Sequence, residues 1–443
     1  MSTTNPNISN PRDILNQSAM TRLQIFVVSI TVALNALDGF DLLAISFASP
    51  GITSEWRIDK VALGVVLSME FVGMGIGSLA LGGFADKIGR RPTILACLTL
   101  MTIGMFMATT ATNVIELSIW RVLTGFGIGG MLAAVNALAT EFSNLKVRYL
   151  SVSLMAIGYP IGGVVGGMMA RNLLAAHDWR SVFYLGGCIT AFFIPLFYFM
   201  VPESPLWLTL KQPKNALEKI NKALTRMGHQ TVAMLPTVSE SSSKTSIKDI
   251  FSPKLIKATV LVTLVYFLHV MTFYFILKWL PKIVADMGYS AALSAGVLIW
   301  ANVGGLLGGA VFGLLTLRFK LKPLMISILL FSVIFVILFG QTSVDLSRIS
   351  LLAAMASFFT NAGMVGIYTL FAQAFPTQTR GFGTGFAIGI GRSGAILSPI
   401  LVGLFFNSGL GLSTVAIIMA MGSLLALAAL LLLKSNAEND VEV

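Results

Sequence analysis

A few side chains stand out because an acid, a base or an arginine sits inside a long apolar run. Asp38 and Asp41 fall in Asn35-Ala36-Leu37-Asp38-Gly39-Phe40-Asp41, three residues apart and so on one helical face. Such groups are costly in a bilayer and default to functional candidates. A carboxyl that keeps a proton while shielded and gives it up when a cation approaches links proton occupancy to structure. Arg121 is the nearest candidate cation, and the three are expected to form a proton-coupling site. Arg392 lies between Gly389, Gly391 and Gly394, near the middle of another apolar run, where snorkelling to either surface is hard. Its guanidinium presents a planar fork matched to a carboxylate and can stack on an aromatic ring. Those glycines are expected to leave room beside it, with Asn361, Tyr368, Tyr266 and Tyr274 as polar and aromatic lining.

Other buried charges leave alternatives open. Glu70 sits near the middle of its run and fits either a cavity or a helix-packing role. His269 fits a packed, hydrogen-bonded imidazole better than a proton carrier. Glu141, at the end of a run, is expected to pair with nearby loop arginines.

Between the second and third runs stands Gly82-Gly83-Phe84-Ala85-Asp86-Lys87-Ile88-Gly89-Arg90-Arg91. The order G-x-x-x-D-x-x-G-R-R suits a tight turn. Gly82 is expected to let two helices approach and Gly89 to permit the reversal. Asp86 can cap a helix N-terminus near Arg380 or pair with a basic loop residue. Gly82, Asp86, Gly89, Arg90, Arg91, Glu141 and Arg380 therefore form a gating set.

The elements that hold these groups follow from composition. Hydrophobic residues are 56% and charged residues 11% of the 443, against roughly a quarter charged in soluble proteins, so the chain is an integral membrane protein. The 42 glycines suit close helix packing in lipid. At roughly 20 apolar residues per crossing, the first six spans fall at 23–47, 61–83, 92–110, 116–139, 149–171 and 181–201. The second six fall at 256–279, 291–315, 321–341, 347–372, 382–405 and 411–433. The fold class is thus all-α, with two six-helix bundles: an N-terminal tail 1–22, a bundle 23–201, a central loop 202–255, a bundle 256–433 and a C-terminal tail 434–443. On these bounds Asp38 and Asp41 lie roughly 9–14 Å, and Arg121 roughly 8 Å, from the outer end of their helices at about 1.5 Å per residue.

Lysine and arginine set the orientation. One set of loops holds Arg12, Arg22, Lys87, Arg90, Arg91, Lys146, Arg148, Arg318, Lys320, Lys322, Arg380 and Lys434, and the central loop adds nine more from Lys211 to Lys257. The other side holds Arg57, Lys60, Arg171, Arg180, Lys282 and Arg348, with Lys278 read as marking the membrane edge. The positive-inside rule then puts both termini in the cytoplasm. The net charge of +11 belongs to these loops, and no nucleic-acid partner is expected. The central loop contains a helical piece around Lys214–Arg226 and a polar run Ser239–Ser246. At an offset of 231 residues, Leu67, Val72, Gly73, Gly77, Gly82 and Pro92 fall on Leu298, Val303, Gly304, Gly308, Gly313 and Pro323, the internal repeat expected of a rocking two-bundle transporter.

With the loop motif in this position, the chain resembles the major facilitator superfamily, and Pro202-Glu203-Ser204-Pro205-Leu206-Trp207-Leu208 resembles a segment found in several of its branches. The second-half counterpart has lost the motif, with Leu317 where Asp86 would stand. A narrower resemblance, to the aromatic acid:proton symporter branch, rests on Asp38-Gly39-Phe40-Asp41 together with Arg121, Glu141, Arg380 and Arg392. It implies import of a benzoate-type or hydroxybenzoate-type acid with protons across a bacterial inner membrane. The alternative is another solute: a dicarboxylate such as muconate, a sugar or a drug.

Other classes lack their residues. No phosphate-binding Gly-x-x-x-x-Gly-Lys loop supports a primary pump, and no repeated filter or charged ring supports a channel. Three histidines and two cysteines, Cys97 and Cys188, offer neither a metal site, a disulfide framework nor a catalytic cluster. The expected partners are a small organic acid, protons and the bilayer. No cofactor and no metal are expected, only the proton gradient, and the protein is expected to be a monomer.

Overall fold

The computed structural model describes residues 10–236, 247–376 and 379–433. The polar run Ser239–Ser246, Lys434 and the C-terminal tail lie outside the described residues, as do the first nine residues of the N-terminal tail. Regular structure among the described residues is helical throughout. A short α1 (Pro11–Gln17) precedes α2 (Arg22–Trp56), α3 (Lys60–Ile88), α4 (Arg90–Thr110), α5 (Val114–Glu141), α6 (Arg148–Ala176) and α7 (Arg180–Met200). The central loop carries α8 (Pro205–Lys211), α9 (Ala216–Arg226) and a 3-10 turn at Ile247–Phe251. The second half comprises α10 (Ile256–Asp286), α11 (Ala291–Leu315), α12 (Leu321–Gly340), α13 (Leu346–Ala374), α14 (Arg380–Gly391), α15 (Ser393–Asn407) and α16 (Leu412–Leu432).

Twelve helices are long and apolar enough to cross a membrane when α14 and α15 count as one. Several run past the apolar windows: α2 continues nine residues beyond 47, and α10 continues to Asp286. The bilayer limits how many apolar residues are needed, but it does not stop a helix, and Thr53-Ser54-Glu55 extend α2 as polar turns. Helix starts are set by side-chain caps that satisfy orphan N–H groups. Asp59 accepts from the Ala62 N–H at 2.7 Å, Asn113 from Ile115 and Glu116, and Ser290 from Leu293.

In the first bundle α3 packs on α5, α2 on α6, and α4 on α5 and α7; in the second α11 packs on α13, and α16 on α10 and α12. The repeat predicted at an offset of 231 residues has a physical basis here. A Cβ on Gly73 or Gly77 would strike the α5 backbone at Val122 and Phe126, and one on Gly304 or Gly308 would strike the α13 backbone at Ala354 and Phe358. The same close helix crossing is built twice. Gly82 and Gly313 meet nothing within 4 Å, so the close approach expected at Gly82 is absent: the face of α3 that carries Gly82 looks into open space.

The bundles meet through α6 with α11, α3 with α15, and α2 with α10. These contacts lie toward the side opposite α1 and the C-terminal end of α16, which we call the far side, the other being the terminus side. Gly64 abuts the Pro399 carbonyl, Gly403 abuts Lys60, and Gly167 abuts Ile299. On the terminus side α14 packs within its own bundle, on α10, α13 and α15.

Candidate functional site

Asp38 and Asp41 sit near the middle of the 35-residue α2, not close to its outer end. The helix continues to Trp56, so the shallow depth read from the apolar window does not hold. Both are buried; Asp38 Oδ1 and both carboxylate oxygens of Asp41 lack a hydrogen-bond partner. Arg121, on α5, was expected to pair with these carboxylates. Its guanidinium instead forms an ion pair with Glu70 of α3 and donates to the backbone carbonyl of Asp41 at 2.7 Å. It also contacts Met105 Sδ at 3.2 Å and lies 5.4 Å from the Phe183 ring centroid. Arg121 and Glu70 are both fully buried. A cation in such a site is tolerable only when paired and hydrogen-bonded, and Glu70, not the aspartate carboxylates, supplies that pair.

Lys278 is the residue that sequence reasoning misplaced. It is fully buried, not at a membrane edge. From α10 in the second bundle its Nζ donates to the Leu42 carbonyl and lies 3.4 Å from Glu70 Oε2 in the first, 4.8 Å from the Phe71 ring centroid. Glu70 is therefore shared between Arg121 of its own bundle and Lys278 of the other. The available signal was a carboxylate in the middle of an apolar span, which requires a cation. Which cation meets it depends on how the bundles dock.

The second centre is Arg392, at the junction of α14 and α15, with Tyr266 and Tyr274 of α10 close enough to feel its charge. Its guanidinium has no hydrogen-bond or ion-pair partner among the described residues, and it is only partly buried. Tyr266 stands 6.0 Å from Tyr368 and 5.7 Å from Phe371 between ring centroids, and Tyr274 stands 4.4 Å from Phe71. Aromatic rings from α3, α10 and α13 thus form a connected cluster that includes the two tyrosines near the cation. The flanking glycines do not all leave space, as was expected. Gly391 lies against the Tyr266 ring and Gly394 against the Phe267 backbone, and of the three only Gly389 is open. They bring α10 up to the arginine, which places the tyrosines. Asn361 is committed elsewhere, donating to the Gly305 carbonyl and tying α13 to α11.

On the terminus side the G-x-x-x-D-x-x-G-R-R loop wraps around Arg90. Its guanidinium reaches Asp86 at 2.7 Å and Glu141 of α5 at 2.9 Å, and donates to the Ala85 carbonyl. Glu203, from the Pro202–Leu208 segment, accepts from the backbone N–H groups of Arg90 and Ser204 at 3.0 and 2.8 Å and so caps α4. Burial pushes the Glu203 carboxyl up from its ordinary value, against the opposing pull of the Ser204, Arg91 and Arg90 donors. Gly89, at φ +112°, makes the reversal. Trp207 donates to the Asp86 carbonyl at 3.0 Å, and Arg91 lies 4.8 Å from the Tyr198 ring centroid. Asp86 thus pairs with a basic loop residue; Arg380 bonds the Phe375 carbonyl of its own bundle at 3.4 Å. His269 is packed, its ring nitrogens 2.9 Å from Ser423 Oγ and 2.8 Å from the Thr360 carbonyl.

Two six-helix bundles with charged groups buried where they meet define a multi-pass membrane transporter. The Major Facilitator Superfamily matches residues 31–315, and the chain belongs to it. It is 27% identical over 404 residues to the gallate transporter of Pseudomonas putida, covering 90% of each chain. It is 30% identical over 392 residues to the 4-hydroxybenzoate transporter PcaK of Acinetobacter baylyi, covering 86% of this chain and 85% of that one. Among solved structures, the inward-open xylose transporter XylE from E. coli superposes with a TM-score of 0.71 at 18% identity, covering 93% of this chain and 97% of that one. At that identity the likeness speaks for the fold alone.

Proposed function

We propose that the protein imports an aromatic carboxylic acid, of benzoate or hydroxybenzoate type, together with protons by alternating access. The observation that carries this reading is the unpaired Arg392 guanidinium among Tyr266, Tyr274 and Tyr368. An aromatic acid presents a planar carboxylate on an apolar ring, and this centre offers a planar cation and aromatic faces to receive the two parts. The relatives support the same substrate class, since two of them are transporters of gallate and 4-hydroxybenzoate.

Alternating access is supported by the bundle contacts, which lie on the far side, while α14 on the terminus side packs chiefly on α10, α13 and α15 of its own bundle among the described residues. With both termini in the cytoplasm, as the lysine and arginine distribution favours, this is an inward-open arrangement in a bacterial inner membrane. Asp38 and Asp41 are the proton site: a buried carboxylate without donors is costly in its charged form, which favours a proton held on this pair. Asp86, Arg90 and Glu141 hold the terminus-side ends of α3, α4 and α5 together as a unit that moves with its bundle. No cofactor is required beyond the proton gradient, and one chain contains every group invoked.

Equilibrium binding of 4-hydroxybenzoate and benzoate to purified, folded protein tests the anchor. Arg392→Lys keeps the charge but loses the bidentate geometry and is expected to weaken binding; Arg392→Ala is expected to nearly eliminate it. Unchanged affinity in Arg392→Ala would rule out the carboxylate-anchor role.

A further inference from the structure

We infer that Lys278 is a positioning residue for proton coupling, its ammonium exchanging places with one proton each time the bundles part on the far side. The inference rests on the proton-coupled reading above and adds to it a residue and a stoichiometry.

One buried pocket between the bundles must balance its charge. Glu70, Arg121 and Lys278 are fully buried and joined, with Asp41 held to Arg121 through its backbone and Asp38 one turn away on the same helix. Two cations thus face three carboxyl groups. An uncompensated charge deep in the membrane is costly, and neutrality is met when one of the three carboxyls carries a proton. Lys278 alone among the five belongs to the second bundle. If the far side opens, α10 moves away from α2 and α3, and Lys278 leaves both the Leu42 carbonyl and Glu70. One cation then faces three carboxyls, and neutrality requires a second proton. Return of Lys278 on closure displaces that proton. Opening therefore loads one proton and closing releases one, with Asp38, Asp41 and Glu70 sharing it as a coupled set.

The neighbours of Lys278 support a direct exchange. The groups facing it are Glu70 and the Phe71 ring from α3, Arg121 from α5, and the Leu42 carbonyl from α2, and the two aspartates of α2 interact in turn with Glu70. The Tyr159 phenol of α6 lies near Glu70. Among the described residues α11, α13, α15 and α16 bring no acidic or basic side chain into a bond with it. The charged neighbours of Lys278 along α10 point elsewhere: Lys282 pairs with Asp286, which also meets Lys60 at 3.6 Å.

The test reads the bundle equilibrium without substrate. Spin labels on the far-side ends of α3 and α15, in purified protein reconstituted in nanodiscs, report the ratio of far-side-open to far-side-closed molecules against pH. An exchange of one proton predicts a tenfold rise in that ratio for each unit fall in pH across the titration. Lys278→Gln is expected to flatten the slope, and Lys278→Arg, which keeps the cation, is expected to preserve it. A latch with no part in coupling would shift the ratio in Lys278→Gln but leave its slope at the wild-type value, and that result overturns the inference. A wild-type ratio independent of pH overturns it as well, even if Lys278→Gln does not fold. Aromatic-acid binding, measured on the same samples, reports separately on the transport reading.

Discussion

Arg121 holds Asp41 by its backbone carbonyl, at 2.7 Å, and leaves the Asp41 carboxylate without a partner. The two residues touch, yet Arg121 forms its ion pair with Glu70 while the Asp41 carboxylate receives no hydrogen bond. This separates a proton-carrying aspartate from a structural ion pair, because the two roles respond differently to substitution.

Asp41→Asn keeps the carbonyl that Arg121 uses and removes only the titratable group. Its thermal stability should stay within about 0.5 kcal/mol of wild type, the range for substitutions that break no named interaction. Uphill uptake should be lost, while exchange of labelled for unlabelled substrate persists. Asp38→Asn should behave likewise. Melting curves and paired accumulation and exchange assays check this; normal accumulation in both single variants contradicts the assignment.

Glu70 should behave in the opposite way. Glu70→Ala strands two buried cations, Arg121 and Lys278, and removing one partner of a buried pair costs about 3–5 kcal/mol. Glu70→Gln, which keeps the shape and one acceptor oxygen, should lose less. Denaturation in detergent micelles reads the difference, and a mild Glu70→Ala would show that the cluster contributes little.

The terminus-side loop gives a graded series. Asp86 is 70% exposed while Arg90 and Glu141 are 12% and 8% exposed, so Asp86→Asn should cost about 0.2–1 kcal/mol and impair turnover more than stability. Gly89→Ala should be worse, since φ +112° is a glycine conformation and an added Cβ would run into Glu203; such strain costs about 1–3 kcal/mol. Transport rates and melting temperatures for the two variants check the order.

His269→Ala should destabilise by about 2–5 kcal/mol, because it leaves a cavity where a fully buried ring stood and removes its bonds to Ser423 Oγ and the Thr360 carbonyl, and yet leave proton coupling unchanged. Loss of accumulation in a folded His269→Ala protein would make the imidazole a proton carrier.

What could be read in the sequence divides along one physical line. Contacts within a span or between adjacent spans leave local signals. Gly89 before two arginines marks the reversal, Glu141 beside loop arginines marks its pair with Arg90, and Arg392 has no apolar reason to be mid-span. Contacts between spans distant in sequence, within a bundle or across the two, leave none. Lys278 looked like an edge marker because lysine usually is one, and Glu70 looked optional because its partners are 51 and 208 residues away. The glycines around Arg392 were legible as a need for space, but the space belongs to α10. Helix ends beyond the bilayer escaped for a related reason: hydropathy reports the lipid, and α2 continues past it.

The central claim is proton-driven uptake of an aromatic acid. Its most direct test is accumulation of labelled 4-hydroxybenzoate by purified protein in liposomes carrying an imposed inward proton gradient, with and without a protonophore. The account predicts accumulation above the level set by passive partition of the undissociated acid in protein-free liposomes, collapsing when the protonophore is added, and absent with Arg392→Ala. Uptake that matches protein-free liposomes, or that persists unchanged once the gradient is dissipated, would contradict it.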